Sequence, residues 1–281
     1  MIIFTKISQI NKFLTAIAQK GSSIGFVPTM GALHEGHLTL IRKANEENDV
    51  SVCSIFVNPT QFNNPEDLKK YPRLIEKDIL LLEKSGCNVL FYPNADEMYG
   101  KDEGLLNVDL LGIDKRLEGE HRPGHFNGVA TIVKKLFDAV APHKAYFGQK
   151  DYQQVLVVKT MVKQLNVPVE IVAVPTVREE SGLAMSSRNL RLTDEERENA
   201  AEIYRVLVWA KEHLSKLEAV EIEKVGGERL AKIPGAEVEY FELADGETLA
   251  PLVEYKTGQK VVALTAVQVG AVRLIDNMEI A

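Results

Sequence analysis

IGFVPTMGALHEGH, residues 24–37, is the stretch whose reading decides the fold. Its first five residues form an apolar run of strand character, Gly31 marks a turn, and a segment with helical spacing opens at Glu35. The same handover from strand to helix recurs on either side of it. VSVCSIFV (50–57), NVLFYP (88–93), KAYFG (144–148) and VEIVAVPTV (169–177) read as further strands, and helices are expected at 35–47, 66–85, 127–140 and 151–165. Strands separated by helical crossovers cannot be joined as hairpins, so they should lie parallel in a sheet covered on both faces. Burial on both faces also accounts for their being apolar almost throughout. The expectation for residues 1–177 is therefore an α/β, Rossmann-like domain with a doubly wound parallel sheet.

After residue 190 the character changes. TDEERENAAEIYRVLVWAKEHL opens with a capping box, Thr193 with Glu196, and predicts one long amphipathic helix. A second helix is expected near 219–232, interrupted at Gly226 and Gly227, followed by strands around 237–243, 260–268 and 271–276. Residues 191–281 thus read as a small α+β C-terminal lid domain, with a short hinge within 178–190.

The chain has 281 residues, 45% hydrophobic and 26% charged, enough to bury a substantial core. No run of 18 apolar residues suggests a membrane span, and the first residues lack the pattern of a targeting segment, so a soluble, cytoplasmic protein is expected. Cys53 and Cys87 lack the spacing of a zinc site or disulfide framework and read as buried, reduced thiols. A net charge of −7 argues against a nucleic-acid surface and leaves small molecules as the expected partners.

Ligands of open α/β sheets bind beyond the C-terminal ends of the strands. Residues 28–37 occupy such a position. There the N–H groups and dipole of a starting helix attract phosphate, and His34 and His37 share a turn. Gly31 and Gly36 satisfy GxxxxG, but His37 and Leu38 replace the Lys and Ser/Thr of a P-loop. The pattern also misses HExxH, because the second histidine arrives one residue early. An ordinary turn with two solvated histidines is the bland alternative. Three more polar clusters fall at the same predicted edge. FGQKDYQQ (147–154) offers Lys150 as a cation, Asp151 as a helix cap and the amides of Gln153 or Gln154; its bland form is a capped helix with a solvated lysine. Met185-Ser186-Ser187-Arg188-Asn189 could clamp phosphate or simply link domains. FVNPTQF (56–62) places Asn58 and Gln61 after the second strand, where a plain turn would also fit.

PTMGALHEGH, FVNPTQF, RPGHFNGV, FGQKDYQQ and AMSSRNL, in this order, resemble the pantothenate synthetase family across most of residues 26–190. The resemblance implies a ligase that converts ATP, Mg²⁺ and pantoate to pantoyl adenylate and pyrophosphate. β-Alanine then attacks, giving pantothenate and AMP. It implies that His34, His37, Lys150, Ser186, Ser187 and Arg188 are catalytic, and that the ATP site includes them with Pro28, Thr29, Met30, Gly31, Gly36, Gly148 and Asp151. Val177 and Met185 fall at adenine-contact positions. Gln61 and Gln154 match the pantoate glutamines, with Asn58, Tyr71 and Arg122 near the same pocket. A homodimer formed through the N-terminal domain is also implied. No protein ligand for Mg²⁺ and no base for the β-alanine amine is assigned. Another adenylate-forming ligase or nucleotidylyltransferase of the same superfamily is the alternative, and a nucleotide-binding regulatory module without chemistry is a third reading.

Overall fold

The computed structural model describes residues 1–62, 65–100 and 104–281. Two compact units make up the chain, Met1–Gln149 with Gln153–Pro175, and Lys150–Tyr152 with Thr176–Ala281.

The first unit runs β1 (Ile2–Phe4), α1 (Ile7–Ala18), β2 (Ile24–Thr29), α2 (Glu35–Glu47), β3 (Val50–Ile55), α3 (Pro65–Lys70), α4 (Ile75–Lys84), β4 (Val89–Phe91), α5 (Ala95–Met98), α6 (Glu118–His121), α7 (His125–Val140), β5 (Lys144–Gly148), α8 (Tyr152–Gln164) and β6 (Glu170–Val174). Its sheet is six-stranded and parallel, in the order β1-β4-β3-β2-β5-β6. The chain leaves β2 toward β3 and β4, then returns to place β5 on the other side of β2. The reversal makes the ends of β2 and β5 the topological switch point. Strand alternation serves both faces: Val27, Cys53 and Leu90 join α2 and α4 in one core cluster, while Phe26 meets Phe137 of α7 edge-on at 6.3 Å.

Several features depart from the expectation. β1 and α1 occupy a stretch to which the sequence reading assigned no element; three strand residues are too few for a periodic signal. The helix expected over 66–85 is two helices separated by residues 71–74. Pro72 cannot donate into a helix and steers Tyr71 away from helical backbone. The last helix of the unit starts at Tyr152 behind a 3-10 turn, Gln149–Asp151, so Asp151 sits within the turn.

The second unit contains α9 (Asp194–Ala200), α10 (Glu202–His213), α11 (Ala219–Leu230) and an antiparallel meander of β7 (Ala236–Asp245), β8 (Val261–Val269) and β9 (Val272–Glu279). The expected capping box is present, with Thr193 Oγ1 accepting from Glu196 N and Glu196 Oε2 from Thr193 N. The single long helix is divided at Ala201, whose backbone stays helical. α11 continues through its glycines instead of breaking. A Cβ at Gly226 would lie 2.3 Å from the Phe241 ring, so glycine there lets the helix approach β7.

Candidate active site

The C-terminal ends of β2 and β3 are in register, Thr29 opposite Ile55, and β5 lies alongside β2. Residues 28–37, 56–61 and 148 therefore leave the sheet at one edge. Beyond β2 the chain makes a tight turn in which Gly31 (φ +80°) and Ala32 (φ +50°) are both left-handed. Thr29 Oγ1 donates to the Ser54 carbonyl at 2.7 Å and accepts from Gly31 N at 3.2 Å. Under the turn lies Asp78 of α4, 1% exposed, whose two oxygens accept from Ala32 N and Leu33 N at 2.8 Å each. Burial pushes the Asp78 carboxyl up, and these two N–H donors pull it back. Asp78 was not singled out in the sequence, where it is one acid among several on an amphipathic helix.

His34 is the N-cap of α2 and His37 its third residue. The rings lie 4.1 Å apart between centroids at 39°, and His34 N donates to His37 Nδ1 at 3.4 Å. In a neutral ring an accepting Nδ1 places the proton on Nε2. The N–H groups of Ala32 and Leu33 are engaged by Asp78, so they are not the phosphate donors that a bare loop would offer. Glu35 and Gly36 open the helix and have no intrahelical acceptor. Their N–H groups make no hydrogen bond to a described residue.

Asn58 and Gln61 sit on a 3-10 turn, Pro59–Gln61, pressed against α7. A Cβ at Gly128 would come within 2.4 Å of the Thr60 carbonyl, which makes that approach possible only for glycine. Asn58 is fully buried. Its Nδ2 donates to the Gly128 carbonyl at 3.3 Å, and its Oδ1 accepts from Tyr99 OH at 2.6 Å and Thr60 Oγ1 at 3.1 Å. The Gln61 carbonyl accepts from Arg122 Nη2 at 3.1 Å and from His125 Nδ1 at 2.9 Å. Facing a carbonyl, His125 Nδ1 must be the protonated nitrogen. Arg122 also approaches Glu118 at 3.8 Å, and Tyr71 meets Phe62 edge-on at 5.7 Å. With its backbone held in this way, Gln61 keeps a side-chain amide that bonds no described residue. Gln154, half-buried on α8, does the same. Gln153 does not. It is buried, donates to the Ile113 and Arg116 carbonyls at 2.7 Å each and accepts from Glu118 N at 3.1 Å, so its amide pins the loop that carries α6. Of the two glutamines that the sequence offered here, only Gln154 has an amide to give.

Within the second unit, Lys150 Nζ lies 3.6 Å from Asp151 Oδ1. Val177 and Met185 are joined directly, Met185 N donating to the Val177 carbonyl at 2.9 Å across a hairpin that continues with an Arg178–Ala184 bridge. Ser186 Oγ accepts from Arg188 N at 3.2 Å and opens the 3-10 turn Ser187–Arg191. Asn189, the last residue of the expected clamp, is buried and donates to Glu179 Oε1 at 2.9 Å and the Ala184 carbonyl at 3.0 Å. It braces the segment. Arg197 holds the Glu179 carboxyl below the usual range.

A model of the pantoate-β-alanine ligase family matches residues 2–279. The chain is 47% identical to the pantothenate synthetase of Cytophaga hutchinsonii over 282 aligned positions, covering all of this chain and 99% of that protein. The chain belongs to the pantoate-β-alanine ligase family. Membership makes it a ligase that joins pantoate to β-alanine, and the solved structures agree. The Thermus thermophilus pantothenate synthetase superimposes with a TM-score of 0.92 at 42% identity, covering 100% of this chain and 99% of that one. The Francisella tularensis pantoate-β-alanine ligase, described as complexed with β,γ-ATP and β-alanine, gives 0.82 at 40% identity, with 100% and 98% covered. The parallel sheet with a small antiparallel C-terminal sheet is thus the fold of pantoate-β-alanine ligases. Sequence reasoning missed Tyr99 and His125, which hydrogen-bond Asn58 and the Gln61 carbonyl, and Asp78, which holds Ala32 N and Leu33 N in the loop between Gly31 and His34.

Proposed function

We propose that the chain condenses pantoate with β-alanine in two half-reactions, through a pantoyl adenylate. The observation that carries this reading is a helix start whose first N–H groups bond no described residue, at the same sheet edge as Gln61, whose amide bonds none either. In the first half-reaction a pantoate carboxylate oxygen attacks the α-phosphorus of ATP and pyrophosphate leaves. Negative charge spreads over the nonbridging oxygens and the leaving group, and positioned donors stabilise it. His37 Nε2–H, the N–H groups of Glu35 and Gly36, Lys150 and Arg188 are the donors, with His34, Ser186 and Ser187 on the phosphate chain. Pro28, Thr29, Met30, Gly31, Gly148 and Asp151 shape the nucleotide site, and Val177 and Met185 flank the adenine. In the second, the β-alanine amine, having lost its ammonium proton, attacks the acyl carbon and AMP leaves.

Gln61 and Gln154 orient pantoate. Neutral amides suit a carboxylate that must act as a nucleophile, because a salt bridge would withdraw the charge with which it attacks. Glu118 offsets the charge of Arg122 beside that pocket, and Tyr71 lines its approach. Asn58, bonded to Gly128, Tyr99 and Thr60, stands with Gln61 among the pantoate-binding residues and holds its turn.

Among the described residues no group of three or more His, Cys, Asp or Glu side chains could hold a metal ion. The donor set fits Mg²⁺ held by the ATP phosphates, as this ion commonly is. It would neutralise phosphate charge while Lys150 and Arg188 orient the chain. No helix among the described residues is long and apolar enough to cross a membrane, and a cytoplasmic homodimer formed through the first unit completes the reading.

Incubation with ATP, Mg²⁺, pantoate and β-alanine should yield pantothenate and AMP in equal amounts by mass spectrometry, and a panel of other acids should not replace pantoate. A ligase for a different acid would release pyrophosphate with that acid instead. A regulatory module would bind ATP without turnover.

A further inference from the structure

We infer that Asp276 and Asn277, adjacent residues of β9, are positioning residues that hold the Lys150 turn and the Val177–Met185 hairpin in a fixed relation. The nucleotide contacts of both segments would then be presented as one preassembled unit. The inference rests on the nucleotide role given above to Lys150 and to Ser186–Arg188. Neither residue belongs to any of the motifs that carry the family resemblance.

Successive strand residues point to opposite sides. Asp276 and Asn277 are nevertheless both buried, at 4% exposure each, and each is bonded to a different one of the two segments. Asp276 takes a two-pronged ion pair from Arg178, Nη1 to Oδ2 at 2.6 Å and Nη2 to Oδ1 at 3.0 Å, and also accepts from Asn277 N at 2.8 Å. The same guanidinium donates to the Gly182 carbonyl at 3.1 Å and to the Asn277 carbonyl at 3.2 Å, and lies 4.2 Å from the Tyr204 ring centroid. Arg178 thereby ties the hairpin's first strand and its turn to β9. Gly182 fits there because a Cβ would come 2.4 Å from Tyr204. From the other side of the strand, Asn277 Nδ2 donates to the Lys150 carbonyl at 2.7 Å. Tyr152 OH donates to the Gly246 carbonyl at 2.7 Å, which holds the far end of the same turn. These bonds explain why Lys150–Tyr152 group with the second unit although the strand before them and the helix after them belong to the first. A buried ion pair is weak evidence for stability, since apolar replacements are often neutral or better. Retaining one here, with Arg178 tying the hairpin and Asn277 Nδ2 the Lys150 turn to the same strand, fits a role in geometry.

The test is a double-mutant cycle read by single-turnover adenylation with ATP, Mg²⁺ and pantoate. Asn277→Ala should slow adenylation about tenfold, the scale of one good hydrogen bond, raise KM for ATP and leave KM for pantoate unchanged. In a Lys150→Ala background the same substitution should change the rate by less than about twofold, because the group it positions is gone. Equal losses in both backgrounds would overturn the inference alone; normal adenylation in Lys150→Ala would overturn the role of Lys150 and this inference with it. Asn277→Asp, which keeps the shape but turns the donor into an acceptor, should be as slow as the alanine variant. A second variant removes the ion pair without leaving a lone charge: Arg178→Met with Asp276→Leu should melt within a few degrees of the parent yet lose adenylation about tenfold or more. Activity that follows the melting temperature in both series would reduce these residues to ordinary fold supports.

Discussion

His37 carries the most specific statement that a single residue makes here. Its Nδ1 accepts from His34 N, the tautomer that carries a ring proton on Nε2, and the proposed role is donation where phosphate charge develops. His37→Ala should slow adenylation by about 10² or more, roughly 2.7 kcal/mol of transition-state stabilisation, in a single-turnover assay. A near-normal rate would remove His37 from the chemistry. Asp78 makes the opposite kind of statement, since it touches no proposed ligand and still shapes the loop. Asp78→Ala leaves two buried N–H groups without an acceptor and should cost about 1–3 kcal/mol in urea unfolding. The motif histidines were legible in the sequence because their spacing fits one helical turn. Asp78 was not, because its partners lie more than 40 residues away and nothing local marks the pairing. The cysteines behave as read. Both are free and buried, and burial pushes Cys87 up to about 11 and Cys53 higher than its ordinary value.

Among the elements, strands and helices with a clear period were legible, and those ruled by tertiary contact were not. β5 falls on the expected residues and α2 begins and ends where its spacing placed it. Gly226 looked like an interruption because a glycine's backbone freedom can be read locally, whereas the Phe241 ring it accommodates cannot. The far end of α2 shows a similar long-range tie. Glu47 accepts from Lys43 and Lys144 and from the Tyr146 hydroxyl, with Lys43 the largest influence, and its carboxyl falls from an ordinary 4.5 to about 2. A carboxylate depressed by folding adds stability above its unfolded value and loses it as pH falls. Native stability should therefore drop between about pH 4.5 and 2, and Glu47→Gln should flatten that part of the urea-midpoint profile. An unchanged profile would show that the three contacts do not persist in solution.

At the scale of the whole molecule, the sequence motifs fall in both units. The Ser186–Arg188 segment looked like a linker or a clamp; the structure gives it a braced hairpin, with Asn189, Glu179 and Arg197 fastening it from within the second unit. If that segment shields a bound acyl adenylate from water, Ser187→Ala with Arg188→Ala should slow adenylation and also let AMP exceed pantothenate, because intermediate is lost to hydrolysis. A one-to-one ratio at the normal rate would leave it a linker. The central claim is that the acid is activated before the amine takes part, and exchange of labelled pyrophosphate into ATP tests it most directly. With pantoate and Mg²⁺ present and β-alanine absent, label should enter ATP, because the adenylate forms reversibly. Exchange that appears only when β-alanine is added would contradict the two-step account.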